Sequence, residues 1–114
     1  MTEIFVFGSN NAGRHGKGAA LYALRYHGAI YGQGEGLQGT SYAIPTKSKW
    51  LKPLMLTDIY VNIRRFKLFA TYHPQLTFLV TPVGCGLAGY SQEQIKPLFE
   101  PLPMNCRYSP EWTI

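Results

Sequence analysis

The sequence predicts an α/β domain built on a largely parallel sheet. Short apolar, β-branched and aromatic runs alternate with segments of helical periodicity, the pattern of strand–helix–strand units. Glycine-rich stretches follow the first and last of those runs, as loops at the carboxyl ends of parallel strands do. A chain of 114 residues has room for one hydrophobic core, so residues 1–114 are expected to form one domain.

Glu3–Gly8, "EIFVFG", is an apolar run ended by glycine and reads as a buried strand. From Lys17 to His27, Ala20, Ala23, Leu24 and His27 share one helical face, and Gly28 is placed to end that helix. The segment "YGQGEGLQG" carries four glycines in nine residues and is expected to be loop. Thr40–Thr46 reads as a second strand, with Pro45 near its end.

A loop, "KSKWLKPLML", leads to Thr57 as the expected N-cap, with Asp58 in the first turn. Ile59, Ile63, Phe66 and Ala70 then recur at helical spacing from Asp58 to Tyr72, and Pro74 stops the run. Leu76–Val83 is nearly continuous in apolar residues, as a central parallel strand is. After it comes "GCGLAGYS", and Ser91 caps a short helix, "QEQIKPLFE", limited by Pro97. Residues 100–114 contain three further prolines and no periodicity, so an irregular tail packed over the body is expected. The topology predicts that "GSNNAGRHGKG", "TKSKW" and "GCGLAG" converge at one sheet edge.

Composition narrows the function classes. With 46% hydrophobic and 15% charged residues the chain is globular, and no apolar run is long enough to span a bilayer. The N-terminus lacks the pattern of a signal peptide, so a cytoplasmic location with Cys85 and Cys106 reduced is expected. The net charge of +5 favours anionic partners, although only Arg64, Arg65 and Lys67 cluster.

Known phosphate-loop motifs fail. Gly8 and Gly13 have Walker spacing, but Arg14 and His15 follow them, and Lys17 is followed by Gly18 rather than a hydroxyl residue. Gly34, Gly36 and Gly39 match G-x-G-x-x-G, yet they precede a strand instead of following one. His15, His27, His73, Cys85 and Cys106 show no metal-ligand spacing, and no recognised His or acid pattern would activate Cys85 as a nucleophile. No metal or cofactor is therefore expected. What remains is an anion cradle: backbone N–H groups of "AGRHGKG" at the start of a helix, opposite the glycines of "GCGLAG".

"FGSNNAGRHGKGAALYAL" and "FLVTPVGCGLAGYSQEQI" resemble the two signatures of macro domains, which bind ADP-ribose and its derivatives. The likeness runs over roughly residues 4 to 99, with "SYAIPTKSKW" in the place of the intervening strand. It is greatest to the small macro domains that remove ADP-ribose from carboxylate side chains, which share a "TK" after the middle strand and "GCGL" in the last loop. The resemblance implies a three-layer fold, a mostly parallel sheet with helices on both faces. It implies that Asn10 hydrogen-bonds the distal ribose and that Gly16, Lys17 and Gly18 form one wall of the cradle. Gly84, Cys85, Gly86, Leu87, Ala88 and Gly89 would wrap the diphosphate through backbone N–H groups, and Tyr90 would join them in binding the ligand. Lys47 matches the lysine that attacks the anomeric carbon, with Lys49 as its cationic neighbour or as the nucleophile itself.

Two departures stand out. The acid that follows "GCGL" in that branch is Ala88 here, leaving Glu93, Glu35 or water to take its part. The segment that carries an adenine-gripping Asp is missing before the first signature, so a version shortened at its N-terminus is expected, with Tyr31 or Tyr42 stacking on the base. The expected function is binding of ADP-ribose or a related nucleotide-diphosphate-ribose, free or attached to a macromolecule, and hydrolysis of an ADP-ribosyl linkage. The alternatives are a binder without turnover and a nucleic-acid-binding domain that uses Arg64, Arg65 and Lys67.

Overall fold

The structure is a computed structural model and describes residues 2–114. Its elements are β1 (Glu3–Asn10), α1 (Gly18–Tyr26), β2 (Gly36–Gln38), β3 (Ser41–Lys47), α2 (Leu56–Thr71), β4 (Thr77–Val80), α3 (Gln92–Phe99) and β5 (Cys106–Tyr108). They form one sheet in the order β2-β3-β1-β4-β5. Every pairing is parallel except β2 with β3.

Period-two alternation in β1 builds the three layers. Ile4 and Val6 point to one face, where they join Ile44, Phe78 and Val80 from the neighbouring strands. That face is closed by Ile59, Ile63, Phe66 and Ala70 of α2 and by Ile95 and Phe99 of α3. Phe7 points the other way, against Ala20 and Ala23 of α1 and Ala43 of β3. Those small residues let α1 lie close to the sheet.

Two stretches expected to be irregular carry strands. β2 lies inside the glycine-rich segment, held by Gln38, which is 2% exposed. Its Oε1 accepts from the Ile30 N–H at 2.8 Å, and its Nε2 donates to the Gln33 carbonyl at 3.2 Å. β5 lies inside the tail and pairs Cys106–Tyr108 with Phe78–Val80. The tail then folds into the core: Trp112 is buried and its Nε1–H donates to the Val80 carbonyl at 2.8 Å.

Boundaries also shift. β1 runs two residues beyond Gly8, to Asn10, whereas β4 stops at Val80 because Pro82 cannot continue the ladder. α2 begins at Leu56 after Met55 at the cap position, so Thr57 lies inside the helix and caps nothing. Asp58 does sit in the first turn, and Ser91 caps α3 in a reciprocal pair with Gln94. α1 ends where Gly28, at φ +70°, turns the chain so that the Ala29 N–H reaches back to the Ala23 carbonyl at 3.1 Å. Among the described residues no helix is long and apolar enough to cross a membrane.

Candidate functional site

The three loaded loops meet over the carboxyl ends of β3, β1 and β4, around a cavity of about 860 Å³. That volume suits a nucleotide-sized ligand. Asn10, Gly16, Lys17, Gly18 and Lys47 line it on one side. Gly84, Gly86, Leu87 and Ala88 line it on the other. Cys85, Gly89 and Tyr90 do not reach the lining.

The first wall is shaped by Asn10. Its side chain is 3% exposed, and it closes a ring on Arg14: Oδ1 accepts from the Arg14 N–H and Nδ2 donates to the Arg14 carbonyl, both at 3.0 Å. The loop thus folds back over the end of β1 and delivers Gly16 and Lys17 to α1. The first turn of α1 has no side-chain cap and no acidic residue. Its N–H groups and the helix dipole therefore offer an anion site beside the cavity, unlike the capped start of α3.

Two groups of glycines contrast. A Cβ on Gly34 would stand 2.3 Å from the Asn10 carbonyl oxygen, and one on Gly13 would stand 2.4 Å from the Gln33 nitrogen. Those two serve backbone-on-backbone packing between loops. At Gly16, Gly18, Gly86 and Gly89 a Cβ meets nothing within 4 Å. No internal contact requires glycine at Gly16 or Gly86, and both face the cavity.

The opposite loop is tied to itself at its ends. The Cys85 N–H donates to the Pro82 carbonyl, that of Gly89 to Gly86, and that of Tyr90 to Gly84. Gly86–Ala88 is the part left facing the cavity. The Tyr90 hydroxyl donates to the Leu54 carbonyl and anchors the loop to the body. Cys85 packs against the core, and burial pushes its thiol pKa up, the reverse of an activated nucleophile. Cys85 and Cys106 are both free thiols.

Lys47 reaches the cavity through a bulge. Ser9 pairs with Pro45 and Asn10 with Lys47, which leaves Thr46 as the extra residue on β3. The chain then turns tightly, with the Ser48 N–H donating to the Lys52 carbonyl at 2.7 Å and Leu51 at φ +64°. Leu51 lines the cavity, but Lys49 does not; its ammonium lies 4.8 Å over the exposed Trp50 ring. Of Lys47 and Lys49, Lys47 is therefore the one at the cavity.

Other candidates fall outside. Glu35 pairs with Arg65 at 3.0 Å and Glu93 lies in the first turn of α3; neither lines the cavity. Tyr42 is a core residue packed on Phe66 and Phe69, with burial the main cause of a pKa pushed up to about 12, whereas Tyr31 does line the cavity. With Arg65 turned to Glu35 and Arg64 over the Tyr60 ring, the basic residues of α2 form no continuous stripe. Sequence reasoning missed Glu111, the one carboxylate in the lining, and Arg14. No motif marks Glu111, whereas Arg14 lies within the glycine-rich loop that the sequence singles out. Among the described residues no three His, Cys, Asp or Glu side chains are grouped as a metal site would need.

No protein-family model matches the chain, and no curated protein does. Among solved structures it is similar to the macrodomain of Mycobacterium tuberculosis DarG, at 23% identity and a TM-score of 0.57, over 94% of this chain and 86% of that one. The chain has the macro-domain fold.

Proposed function

We propose that the cavity binds ADP-ribose or a related nucleotide-diphosphate-ribose, and that Lys47 attacks the ligand's anomeric carbon to release an ADP-ribosyl group from a carboxylate. The observation that carries this reading is the convergence of Asn10, Lys47, the uncapped start of α1 and Gly86–Ala88 on one cavity. The similarity to a solved macrodomain supports the ligand class. Arg14, Lys17 and Lys47 give the lining three cations against the single carboxylate of Glu111, which suits a diphosphate.

The chemistry follows from the amine. As a free base, the Lys47 Nζ forms a bond to the anomeric carbon while the bond to the acyl oxygen breaks, and the carboxylate leaves with that electron pair. The ring oxygen then takes the proton lost by the nitrogen, and the sugar opens to an imine on Lys47. Water adds to the imine carbon, the carbon–nitrogen bond breaks, and ADP-ribose and the amine are regenerated. Ala88 brings no acid to this sequence, so water carries the protons.

A peptide carrying an ADP-ribosylated glutamate tests the step. Wild-type protein is expected to release ADP-ribose, and Lys47→Ala to lose at least about a hundredfold in rate while still binding ADP-ribose. Unchanged turnover in Lys47→Ala removes the nucleophile. The second reading, binding without turnover, is favoured by Ala88; it predicts ADP-ribose binding and no release by either protein.

A further inference from the structure

His15 is 0% exposed, although it lies in the loop between β1 and α1 that walls the cavity. Its ring stands edge-on to Phe7 of β1, with 5.3 Å between centroids, and edge-on to Tyr31 at 6.4 Å. Its Nε2 lies 3.0 Å from the Gln33 carbonyl oxygen and 3.2 Å from Gln38 Oε1. The Gln38 amide is fixed in that sense: Oε1 accepts from the Ile30 N–H, while Nε2 donates to the Gln33 and Gly36 carbonyls. His15 Nε2 therefore faces two acceptors and carries the proton of the neutral ring.

The other nitrogen, Nδ1, is buried and has no hydrogen-bond partner among the described residues. In the neutral ring it is an unpaired acceptor. In the imidazolium it becomes a charged donor that no protein oxygen receives, which is the costlier state. Against the ring lie Phe7 from β1, Gln38 from β2, and Tyr31 and the Gln33 carbonyl from the segment between α1 and β2. Of these only Tyr31 is titratable, and phenols do not ionise between about pH 5.5 and about pH 8. Arg14 and Lys17, on the same loop, are cations that line the cavity. Glu35, two residues after Gln33, is turned to Arg65 at 3.0 Å, and among the described residues no carboxylate is paired with His15.

The position of this ring bears on the cavity wall. Near β1 the loop is held by backbone packing, with the Gly32 N–H donating to the Gly13 carbonyl at 2.9 Å. Beyond His15, a Cβ on Gly16 or Gly18 would meet nothing within 4 Å, and Gly16, Lys17 and Gly18 all line the cavity. We propose that His15 is the positioning residue of this wall: its neutral imidazole, bonded through Nε2–H to the segment before β2, holds Gly16–Gly18 in place for the ligand, and uptake of a proton by His15 loosens the wall and weakens binding. This role rests on the proposed ligand-binding function.

Two measurements on the full chain test it. NMR of the imidazole nitrogens without ligand reports the tautomer, and the Nε2–H form is expected for His15 at about pH 8. The Nδ1–H form overturns the role whatever the protein binds. Calorimetry with ADP-ribose is expected to show wild-type affinity falling about tenfold from about pH 8 to about pH 5.5. His15→Gln, whose amide keeps a donor for Gln33 but takes up no proton, is expected to bind within about threefold of wild type at about pH 8 and to lose the pH dependence. A wild-type affinity that does not fall, or a fall that survives in His15→Gln, overturns the role and leaves the function standing. The tautomer and the wild-type profile decide the matter even where the variant does not fold. Failure of wild-type protein to bind ADP-ribose at about pH 8 overturns the function, and the role of His15 with it.

Discussion

Asn10 and Arg14 are locked to each other at the mouth of the site: the Asn10 amide both accepts from and donates to the Arg14 backbone, each at 3.0 Å. The first wall of the cavity is therefore shaped before any ligand arrives, and Asn10 retains one amide hydrogen for a further partner. Asn10→Ala is expected to lower stability by roughly 1–3 kcal/mol, since two hydrogen bonds are lost at a buried side chain. Asn10→Asp restores the acceptor but turns an oxygen toward the Arg14 carbonyl, so it should recover little. Urea unfolding of both variants, followed by ADP-ribose titration, checks this; wild-type stability in Asn10→Ala would show that the ring does not organise the loop.

The two groups of glycines predict opposite outcomes for one substitution. Gly34→Ala forces a methyl group to within 2.3 Å of the Asn10 carbonyl oxygen and should cost about 3 kcal/mol or more. Gly16→Ala meets no atom within 4 Å, so stability should change by less than about 0.5 kcal/mol. ADP-ribose affinity should nevertheless fall by about tenfold in Gly16→Ala, because its methyl group enters the space assigned to the diphosphate. Thermal unfolding and calorimetry on the pair separate packing from binding. Wild-type affinity in Gly16→Ala would move the diphosphate elsewhere.

The tail is part of the core, and Trp112 is its anchor. Trp112→Ala removes a buried ring and the indole bond to the Val80 carbonyl, with an expected cost of about 3–5 kcal/mol. Trp112→Phe keeps most of the apolar contact and loses the bond, so it should cost about 1–2 kcal/mol. Denaturant unfolding distinguishes these values from the near-zero change that a loosely draped tail would give.

Much of this architecture was legible because local pattern and tertiary role agree. Ile4 and Val6 against Phe7 reveal a strand with two buried faces, and Ile59, Ile63, Phe66 and Ala70 reveal the helix that covers one of them. The convergence of the loops follows from strand order alone. β2 and β5 were hidden for different reasons. β2 has three residues, one of them Gly36, and is held by the Gln38 side chain rather than by apolar alternation. β5 is set by pairing with β4, a contact nearly thirty residues distant that no local signal announces. Glu111 reaches the cavity only because Trp112 and Gln92 fold the tail back, so its place could not be read from its neighbours in sequence.

Burial predicts an alkaline weakness. Desolvation pushes the Cys106 thiol up to about 12, and desolvation with the nearby Glu35 carboxylate pushes the Tyr42 phenol up to about 12. Both groups ionise at lower pH once unfolded, so the unfolded state binds fewer protons than the folded one above about pH 9. Their stabilising contribution is complete below that value and is lost as pH rises toward 12. The slope is at most about 1.4 kcal/mol per pH unit for each group, and smaller where solvent reaches it. Unfolding free energies at pH 8 and pH 10.5 should therefore fall less steeply in Cys106→Ala than in wild-type protein. Equal slopes would show that the thiol ionises freely in the folded chain.

The central claim is that a preformed cavity at this sheet edge holds a nucleotide-diphosphate-ribose. Calorimetry with ADP-ribose at low and at moderate salt tests it most directly. One-to-one binding is predicted, with an affinity that falls only modestly with salt, because backbone N–H groups of a walled site would supply most of the contacts to the diphosphate and Arg14, Lys17 and Lys47 the smaller part. No binding at millimolar ligand would contradict the account.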